Sequence, residues 1–307
     1  MSTILTITAN PLLDHLADSA VTPGAVQRID HFTTVAGGKG LNVARVLARH
    51  GHRVLACGFL GGSTGEQVAH LVAADGIEAS FTPISAATRI GFLLTDPGAG
   101  GTTSVMERGP EITDSEVGAL VAHVRARLSE VDLVIISGGV PSASCNELYR
   151  ILLDTCHQAG VACWLDGYGL AMEAALAGSH PPALVKPNRE EYGDDRRKWM
   201  VAGELHLSDG AGELHVLTPH GSFRVVPPKV FEMNAIGCGD CYIAALAHAR
   251  LSGMALIDQL RYAAAAGAAN AARRDVARIG PDDIAKLTDL VAVLTAASRV
   301  PVNQAPG

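Results

Sequence analysis

The feature that most constrains the fold is the alternation of short apolar runs with helical patterns along the 307 residues. The predicted strands are residues 4–8, 54–59, 133–137, 162–165 and 183–186. The predicted helices are residues 41–50, 65–74 and 146–159, with further helices after Gly239. Strands that alternate with helices indicate right-handed βαβ units and a mainly parallel sheet covered on both faces. The sequence therefore predicts an α/β fold with a doubly wound sheet.

Two stretches interrupt this alternation. Residues 25–35 and 80–107 have alternating, Thr-rich β patterns, with a Gly-rich turn at residues 97–101 and no helical period. Additional antiparallel β segments inserted into a doubly wound fold often form a small lid. We therefore expect one α/β domain over residues 1–300 that carries a β lid from these two segments, and a frayed tail at residues 301–307.

Composition excludes several classes of protein. With 48% hydrophobic residues and 18% charged residues, the chain can bury a large core, so a disordered protein is excluded. A net charge of −7 and the lack of a basic stripe argue against nucleic acid as a partner. No run of 18 to 20 apolar residues predicts a membrane helix, and the first residues lack the basic start of a signal peptide. The six cysteines lack disulfide-framework spacing, so we expect a reduced, cytoplasmic protein.

Residues 237–240, which read GCGD, are the strongest candidate for chemistry. Two glycines flank a small residue and lead into a helical pattern, and backbone N–H groups at such a helix start can bind an anion. An aspartate directly after the anion site can take a proton from a nucleophile, which is the arrangement that phosphoryl transfer requires. The alternative is a Gly-rich turn with an ordinary helix cap, and the motif alone does not distinguish the two.

Two further motifs suit a phosphorylated or hydroxyl-rich ligand. Residues 37–44 read GGKGLNVA, in which glycines open a helix beside a lysine, although neither a P-loop nor a dinucleotide fingerprint is matched. Residues 186–191 read KPNREE, in which Asn188 and Glu191 could order water around Mg²⁺. The alternative for residues 37–44 is a tight loop with a solvated lysine. The alternative for residues 186–191 is a helix start with acidic residues in its first turn.

Taken in order, these segments resemble the ribokinase-like (pfkB) family of carbohydrate kinases, and within it the 1-phosphofructokinase and tagatose-6-phosphate kinase branch. The matching segments are residues 8–14, 37–44, 88–89, 137–141, 186–191 and 234–240. The resemblance implies catalytic roles for Asp240, as general base, and for the backbone N–H groups of Gly237, Cys238 and Gly239. The sugar-binding residues that it implies are Asp14, Gly38, Lys39, Asn42, Arg89 and Ser137, with Lys39 and Arg89 as partners of a substrate phosphate. The residues implied for ATP are Lys186, Asn188, Ser208, Gly210, Gly267 and Asn270, with Asn188 and Glu191 supporting Mg²⁺.

The sequence departs from the family pattern at three places. Met106 and Gly139 stand where the family has an asparagine and a serine, and residues 192–207 are shorter than the helix and strand that the family has there. The charged residues 196–198 in this segment either face the nucleotide or form a solvated turn.

The predicted function is ATP- and Mg²⁺-dependent phosphorylation of a phosphorylated ketohexose, with fructose 1-phosphate as the favoured substrate. The alternatives are a sugar-phosphate-binding protein with weak or no kinase activity, or a kinase of tagatose 6-phosphate, a nucleoside or another sugar. The resemblance also leaves open a homodimer formed through the lid.

Overall fold

The computed structural model describes residues 1–98 and 101–296, which form two β-sheets and the helices that cover them. The strands are β1 (Thr3–Thr8), β2 (Leu12–Asp18), β3 (Thr33–Gly37), β4 (Arg53–Leu60), β5 (Glu78–Ala79), β6 (Thr82–Pro83), β7 (Arg89–Thr95), β8 (Thr102–Met106), β9 (Leu133–Gly138), β10 (Cys163–Gly167), β11 (Leu184–Val185), β12 (Leu205–Leu207), β13 (Leu214–Thr218), β14 (Gly221–Val226) and β15 (Ala292–Ala296). The helices are α1 (Lys39–Arg49), α2 (Gly62–Ala74), α3 (Asp114–Arg127), α4 (Leu148–Gln158), α5 (Gly169–Leu176), α6 (Arg189–Tyr192), α7 (Cys238–Leu251), α8 (Leu256–Ala271) and α9 (Pro281–Thr288).

The larger sheet is mostly parallel, as the sequence predicts. Its order is β15-β14-β13-β12-β11-β10-β9-β1-β4-β5, with β6 also paired to β4. The pairs from β5 to β12 are parallel, and β12 to β15 are antiparallel. Two apolar clusters cover the two faces, one formed with α1, α2, α7 and α8, the other with α3, α4 and α5. Burial on both faces explains why the central strands read as continuous apolar runs.

The smaller sheet has the order β3-β2-β7-β8, and we call these four strands the lid. Its second half comes from residues 80–107, as predicted, but residues 25–32 are not in a strand and are mostly exposed. Because this segment is exposed, neither set of its alternating side chains packs against other residues, and nothing stabilises a strand there. Residues 12–18, which were not predicted to belong to the lid, form its strand β2. Antiparallel pairing was expected, but β2 and β7 are parallel, and α1, β4 and α2 lie between them in the chain.

Helices dominate after Gly239, as predicted, but the described chain ends in a strand that was not predicted. Strand β15 pairs antiparallel with β14 and closes that edge of the sheet. Five residues rich in alanine are too few to show a clear period, so the sequence did not reveal this strand. The predicted turn at residues 97–101 lies only partly within the described residues, and the predicted tail at residues 301–307 lies outside them. Across residues 1–98 and 101–296, no helix is long and apolar enough to cross a bilayer.

Candidate active site

The carboxyl ends of four neighbouring parallel strands meet at one edge of the large sheet. They present Thr8 from β1, Ser137 from β9, Asp166 from β10 and Lys186 directly after β11. All four line a cavity of about 680 Å³, which the lid covers from one side. Ligands of open α/β sheets bind at this edge, outside the carboxyl ends of the strands.

The start of α7 forms an anion site in this cavity. Gly237 precedes the helix with φ 82°, a left-handed conformation that favours glycine. Cys238 and Gly239 follow in the first turn, where the N–H groups have no partner within the helix. A side chain on Gly239 would begin 2.6 Å from Nζ of Lys186, so this ammonium group lies directly beside the turn. The helix dipole and the lysine together favour a phosphoryl group at this place.

Asp240 lies next to this site and is buried, with 4% of its surface exposed. Its Oδ2 accepts a hydrogen bond from Nδ2 of Asn42 at 2.8 Å. Burial and the neighbouring carboxylate of Asp166 raise the pKa of Asp240 to about 6, while Lys39, Asn42 and Lys186 act in the opposite direction. A carboxylate with a raised pKa is a better proton acceptor at neutral pH than an ordinary one, so the geometry suits a general base.

Lys39 lies among carboxylates. Its Nζ is 3.3 Å from Oε1 of Glu191 and 3.6 Å from Oδ1 of Asp166. Burial alone would lower the pKa of Lys39, but the carboxylates of Asp166, Asp240 and Glu191 raise it above its usual value. The lysine is therefore a fixed cation at the phosphoryl-transfer end of the cavity, and its charge is already compensated.

Arg89 and Asp14 lie at the lid end of the cavity. The Arg89 guanidinium donates to the backbone oxygens of Asn10 at 3.0 Å and Glu107 at 3.3 Å, and it makes no ion pair with any residue that the structure describes. Oδ1 of Asp14 and Oδ1 of Asn10 are buried acceptors that take no hydrogen bond from the residues that the structure describes. Burial raises the pKa of Asp14, although His15 and Arg89 oppose this. Unused acceptors beside a cation that lacks a close ion pair among the described residues suit a ligand with hydroxyl groups and an anionic group.

The carboxylate of Asp166 is the main polar group that the sequence analysis missed. It is buried, with 1% of its surface exposed, and neither oxygen accepts a hydrogen bond from the described chain. Its nearest cations are Lys39 and Lys186, the latter at 3.8 Å. An aspartate that ends a buried strand at the binding edge is the signal that could have identified it.

The residues present fit a hydrated divalent cation. Asn188 and Glu191 form a reciprocal cap at the start of α6, in which Asn188 Oδ1 accepts from the Glu191 N–H at 2.8 Å and Glu191 Oε2 accepts from the Asn188 N–H at 2.9 Å. This leaves Oε1 of Glu191 and Oδ1 of Asp166 facing the same ammonium group of Lys39. No cluster of three His, Cys, Asp or Glu ligands occurs in the described ranges, so only an ion that keeps most of its water fits here.

The other predicted residues are distributed between the cavity and its supports. Those that line the cavity are Gly38, Asn42, Ser137, Ser208, Gly210 and Gly267. Asn270 is fully buried instead, and its Nδ2 donates to the backbone oxygen of Ile236 at 2.8 Å, so it holds the loop before α7. Apolar residues complete a wall that suits a flat base, namely Leu214, Pro227, Val230, Ala264 and Ala268.

The short segment at residues 192–207 contains the end of α6, a 3-10 helix at Arg197–Val201 and β12. Lys198 of this segment pairs with Glu173 at 3.3 Å, and Trp199 is buried and donates to the backbone oxygen of Tyr192 at 3.0 Å. Among the residues that the structure describes, residues 196–198 are not part of the cavity lining. The geometry therefore favours a packed, charged turn over a nucleotide contact for these residues.

A doubly wound sheet, an anion site at a helix start, a buried aspartate beside it and a lid that carries unused acceptors together define a small-molecule kinase. The chain belongs to the pfkB family of carbohydrate kinases, whose family model matches residues 8–196 and 200–282.

Solved structures agree with this assignment. Phosphofructokinase-2 from Escherichia coli in complex with potassium is 26% identical, with a TM-score of 0.84 over 94% of this chain and 99% of that one. The same enzyme in complex with fructose 6-phosphate has a TM-score of 0.82 at 26% identity, over 94% and 99% of the two chains. A Thermotoga maritima protein described as a possible 1-phosphofructokinase shares the fold, with a TM-score of 0.85 at 23% identity over 96% and 100% of the two chains.

Proposed function

We propose that this chain is a sugar-phosphate kinase that uses ATP and Mg²⁺ to convert fructose 1-phosphate to fructose 1,6-bisphosphate. The observation that carries the proposal is the buried Asp240 beside the N–H groups of Gly237, Cys238 and Gly239. A pure binding protein has no need of a base with a raised pKa beside an anion site.

Phosphoryl transfer at this site needs no phosphoenzyme. Asp240 takes the proton of the acceptor hydroxyl as that oxygen attacks the γ-phosphorus of ATP in line, and the bond to the β,γ-bridging oxygen breaks. The first-turn N–H groups of α7 and the ammonium group of Lys186 stabilise the negative charge on the transferring group. Asp166 and Glu191 would hold Mg²⁺, which supplies positive charge to the polyphosphate when bound.

The lid end supports a phosphorylated sugar as acceptor. Asp14 and Asn10 offer unused acceptors to sugar hydroxyls, and Arg89 offers a cation without an ion pair to the phosphate. Ser137 and Gly38 complete the lining on the sheet side. Phosphofructokinase-2 from Escherichia coli, which has been solved with fructose 6-phosphate, supports a sugar phosphate as substrate class.

The wider organisation is part of the same proposal. We place the enzyme in the cytoplasm as one α/β domain over residues 1–300, with the lid inserted. Phe92, Val105 and Met106 of the lid are exposed apolar side chains, which supports a homodimer formed through the lid. Phosphofructokinase-2 from Escherichia coli has a tetrameric inhibited form, so association occurs among similar proteins.

A substrate panel with ATP and Mg²⁺ tests the proposed function. ADP release is measured with fructose 1-phosphate, fructose 6-phosphate, tagatose 6-phosphate and fructose, with Asp240→Asn as the inactive control. We expect the highest kcat/KM for fructose 1-phosphate, and phosphorus NMR of the product should show a bisphosphate. Preference for fructose would contradict the substrate class. Tight binding of a sugar phosphate without ADP release would support the alternative of a binding protein.

A further inference from the structure

Tyr168, which no sequence motif identified, lies near Lys39 of the transfer end and near Arg89 of the lid end. It directly follows β10 and precedes α5 in an extended conformation, and its side chain is half exposed to the cavity. Nζ of Lys39 lies 5.5 Å from the centre of its ring. Burial lowers the pKa of Arg89, and both Tyr168 and Asp14 are close enough to oppose this shift. The tyrosine therefore contacts the space where an acceptor substrate meets the lid.

The ring of Tyr168 explains why residue 139 is a glycine. The φ of Gly139 lies outside the left-handed region, so the backbone accepts a side chain there. A Cβ on Gly139 would, however, lie 2.8 Å from Cζ and 2.9 Å from the hydroxyl oxygen of Tyr168. The tyrosine hydroxyl thus occupies the place that a short polar side chain on residue 139 would fill, and it reaches there from the neighbouring strand.

The hydroxyl of Tyr168 is also unused. It makes no hydrogen bond to any residue in the part of the chain that the structure describes, although the side chain stands beside two cationic groups. A phenol can donate one hydrogen bond to an anionic oxygen, and such charge-assisted bonds are stronger than neutral ones.

We propose that Tyr168 determines specificity for the acceptor substrate, its hydroxyl donating to the phosphoryl group of a sugar phosphate that also contacts Arg89. This inference rests on the proposed function for the identity of the substrate, but it concerns binding of the phosphate ester and not its turnover. Positions 139 and 168 act as a pair. The hydroxyl comes from Tyr168 when residue 139 is glycine, and a serine at position 139 could supply it only if residue 168 were small.

Removal of the hydroxyl alone is the first test. Binding of fructose 1-phosphate and of fructose is measured by calorimetry without nucleotide, for the wild-type chain and for Tyr168→Phe. We expect about ten- to hundredfold weaker binding of fructose 1-phosphate and unchanged binding of fructose, since only the phosphate ester loses a charge-assisted hydrogen bond. Tyr262→Phe, which removes a hydroxyl on α8 bonded to His50, is the matched control and should change neither affinity.

An exchange of the two residues is the second test. Gly139→Ser alone should weaken binding of fructose 1-phosphate because it displaces the ring, and Tyr168→Ser alone should weaken it because it removes the hydroxyl. The double variant Gly139→Ser/Tyr168→Ser should recover most of the wild-type affinity, which a merely structural role of Tyr168 would not predict.

Three outcomes would overturn the inference. These are equal losses for fructose 1-phosphate and fructose in Tyr168→Phe, additive losses in the double variant, and a wild-type chain that binds fructose as tightly as its phosphate ester. If the wild-type chain binds the ester more tightly and Tyr168→Phe abolishes that difference, the inference stands, even where ADP release is absent and the proposed kinase function fails.

Discussion

At the scale of single residues, the proposed chemistry depends on the Asp240 carboxyl group, which the fold buries where its negative charge is disfavoured. Asp240 is buried beside Asp166, so its protonated form is favoured more than in water, and the amide of Asn42 only partly offsets this. The Asn42 amide is itself oriented, because its Oδ1 accepts a hydrogen bond from the buried Arg45 at 3.0 Å. Its Nδ2 must therefore face the aspartate.

We expect Asp240→Asn to lower kcat by about 10²- to 10⁴-fold and to leave the fold intact, because an amide cannot accept the hydroxyl proton. In the wild-type enzyme, activity should rise with pH through about 6, since Asp240 must be ionised to act as a base. Steady-state rates from pH 5 to 8, with circular dichroism of each variant, measure both effects. Asp258→Asn, on the exposed start of α8, is the control. Turnover of Asp240→Asn within about threefold of wild type would show that another group is the base.

Lys39 and Arg89, which lie at different ends of the cavity, should differ in their effects. Arg89→Ala should raise KM for fructose 1-phosphate about ten- to hundredfold and change KM for fructose little, since this guanidinium has no ion pair of its own. Lys39→Ala should instead lower kcat with both substrates, because Lys39 lies with Asp166 and Glu191 at the transfer end. Kinetics with both sugars measure the difference, with Arg224→Ala on β14 as control. A KM effect confined to the phosphate ester in Lys39→Ala would return this lysine to the phosphate-binding role that the sequence suggested.

Sequence patterns selected the glycines and Asp240, which line one cavity, because a helix start after glycines has a local signature. They did not locate Asp166 or Tyr168. Each is a single residue near the end of an apolar strand, and its contacts in the cavity are with residues distant in sequence. The roles suggested for Lys39 and Asn270 depended on side-chain direction, which spacing does not define. The structure directs Lys39 to carboxylates and Asn270 to a backbone oxygen.

At the scale of elements, the segment at residues 192–207 is shorter than the helix and strand of the family pattern that it replaces. Strand β12 follows α6 after one 3-10 helix, and the described residues between α6 and β12 contain no α-helix. The loop from Pro227 to Glu232 and helix α8 provide the remaining wall. The short length of this segment was evident from the sequence, whereas its packing around Trp199 was not.

We expect ATP to bind weakly, with a Kd in the millimolar range, while fructose 1-phosphate binds with ordinary affinity, because less surface contacts the nucleotide. Calorimetry with a non-hydrolysable ATP analogue and Mg²⁺ measures this Kd. Lys198→Ala should leave it unchanged, since Lys198 pairs with Glu173, whereas Lys186→Ala should raise it. A low-micromolar Kd would show that the absent helix is dispensable for nucleotide binding.

At the scale of the whole molecule, a histidine cluster joins α1, β4, α7 and α8 at the opposite side of the core from the lid. Nε2 of His52 and Nδ1 of His248 are 2.9 Å apart, and His50 contacts both His248 and Tyr262. Burial, then His50 and His52, lower the pKa of His248 to about 4. Burial also lowers the pKa of His50 and of His52, and for His52 the amino terminus adds to this while Asp132 opposes it.

This cluster predicts a loss of stability in mild acid. Histidines whose pKa is lowered in the folded state bind protons more readily when unfolded, so their contribution is complete above about pH 6.5 and is lost as the pH falls towards 4. For His248 we expect about 1–2 kcal/mol, because its partial exposure reduces the full value. Urea unfolding at pH 7.5, 6 and 5 measures the change. His248→Gln should flatten the dependence and the exposed His220→Gln should not; equal slopes in all three proteins would exclude the cluster as the cause.

The connections of the lid have a mechanical consequence. Only residues 9–11 separate β1 from β2, and only Gly38 separates β3 from α1. Asn10 lies in the first connection and Gly38 is the second, and both face the cavity. Two of the four connections between the lid and the rest of the domain are therefore built from residues that line the cavity. We therefore expect a ligand that fills the cavity to contact both connections at once and to restrict motion of the lid at its base.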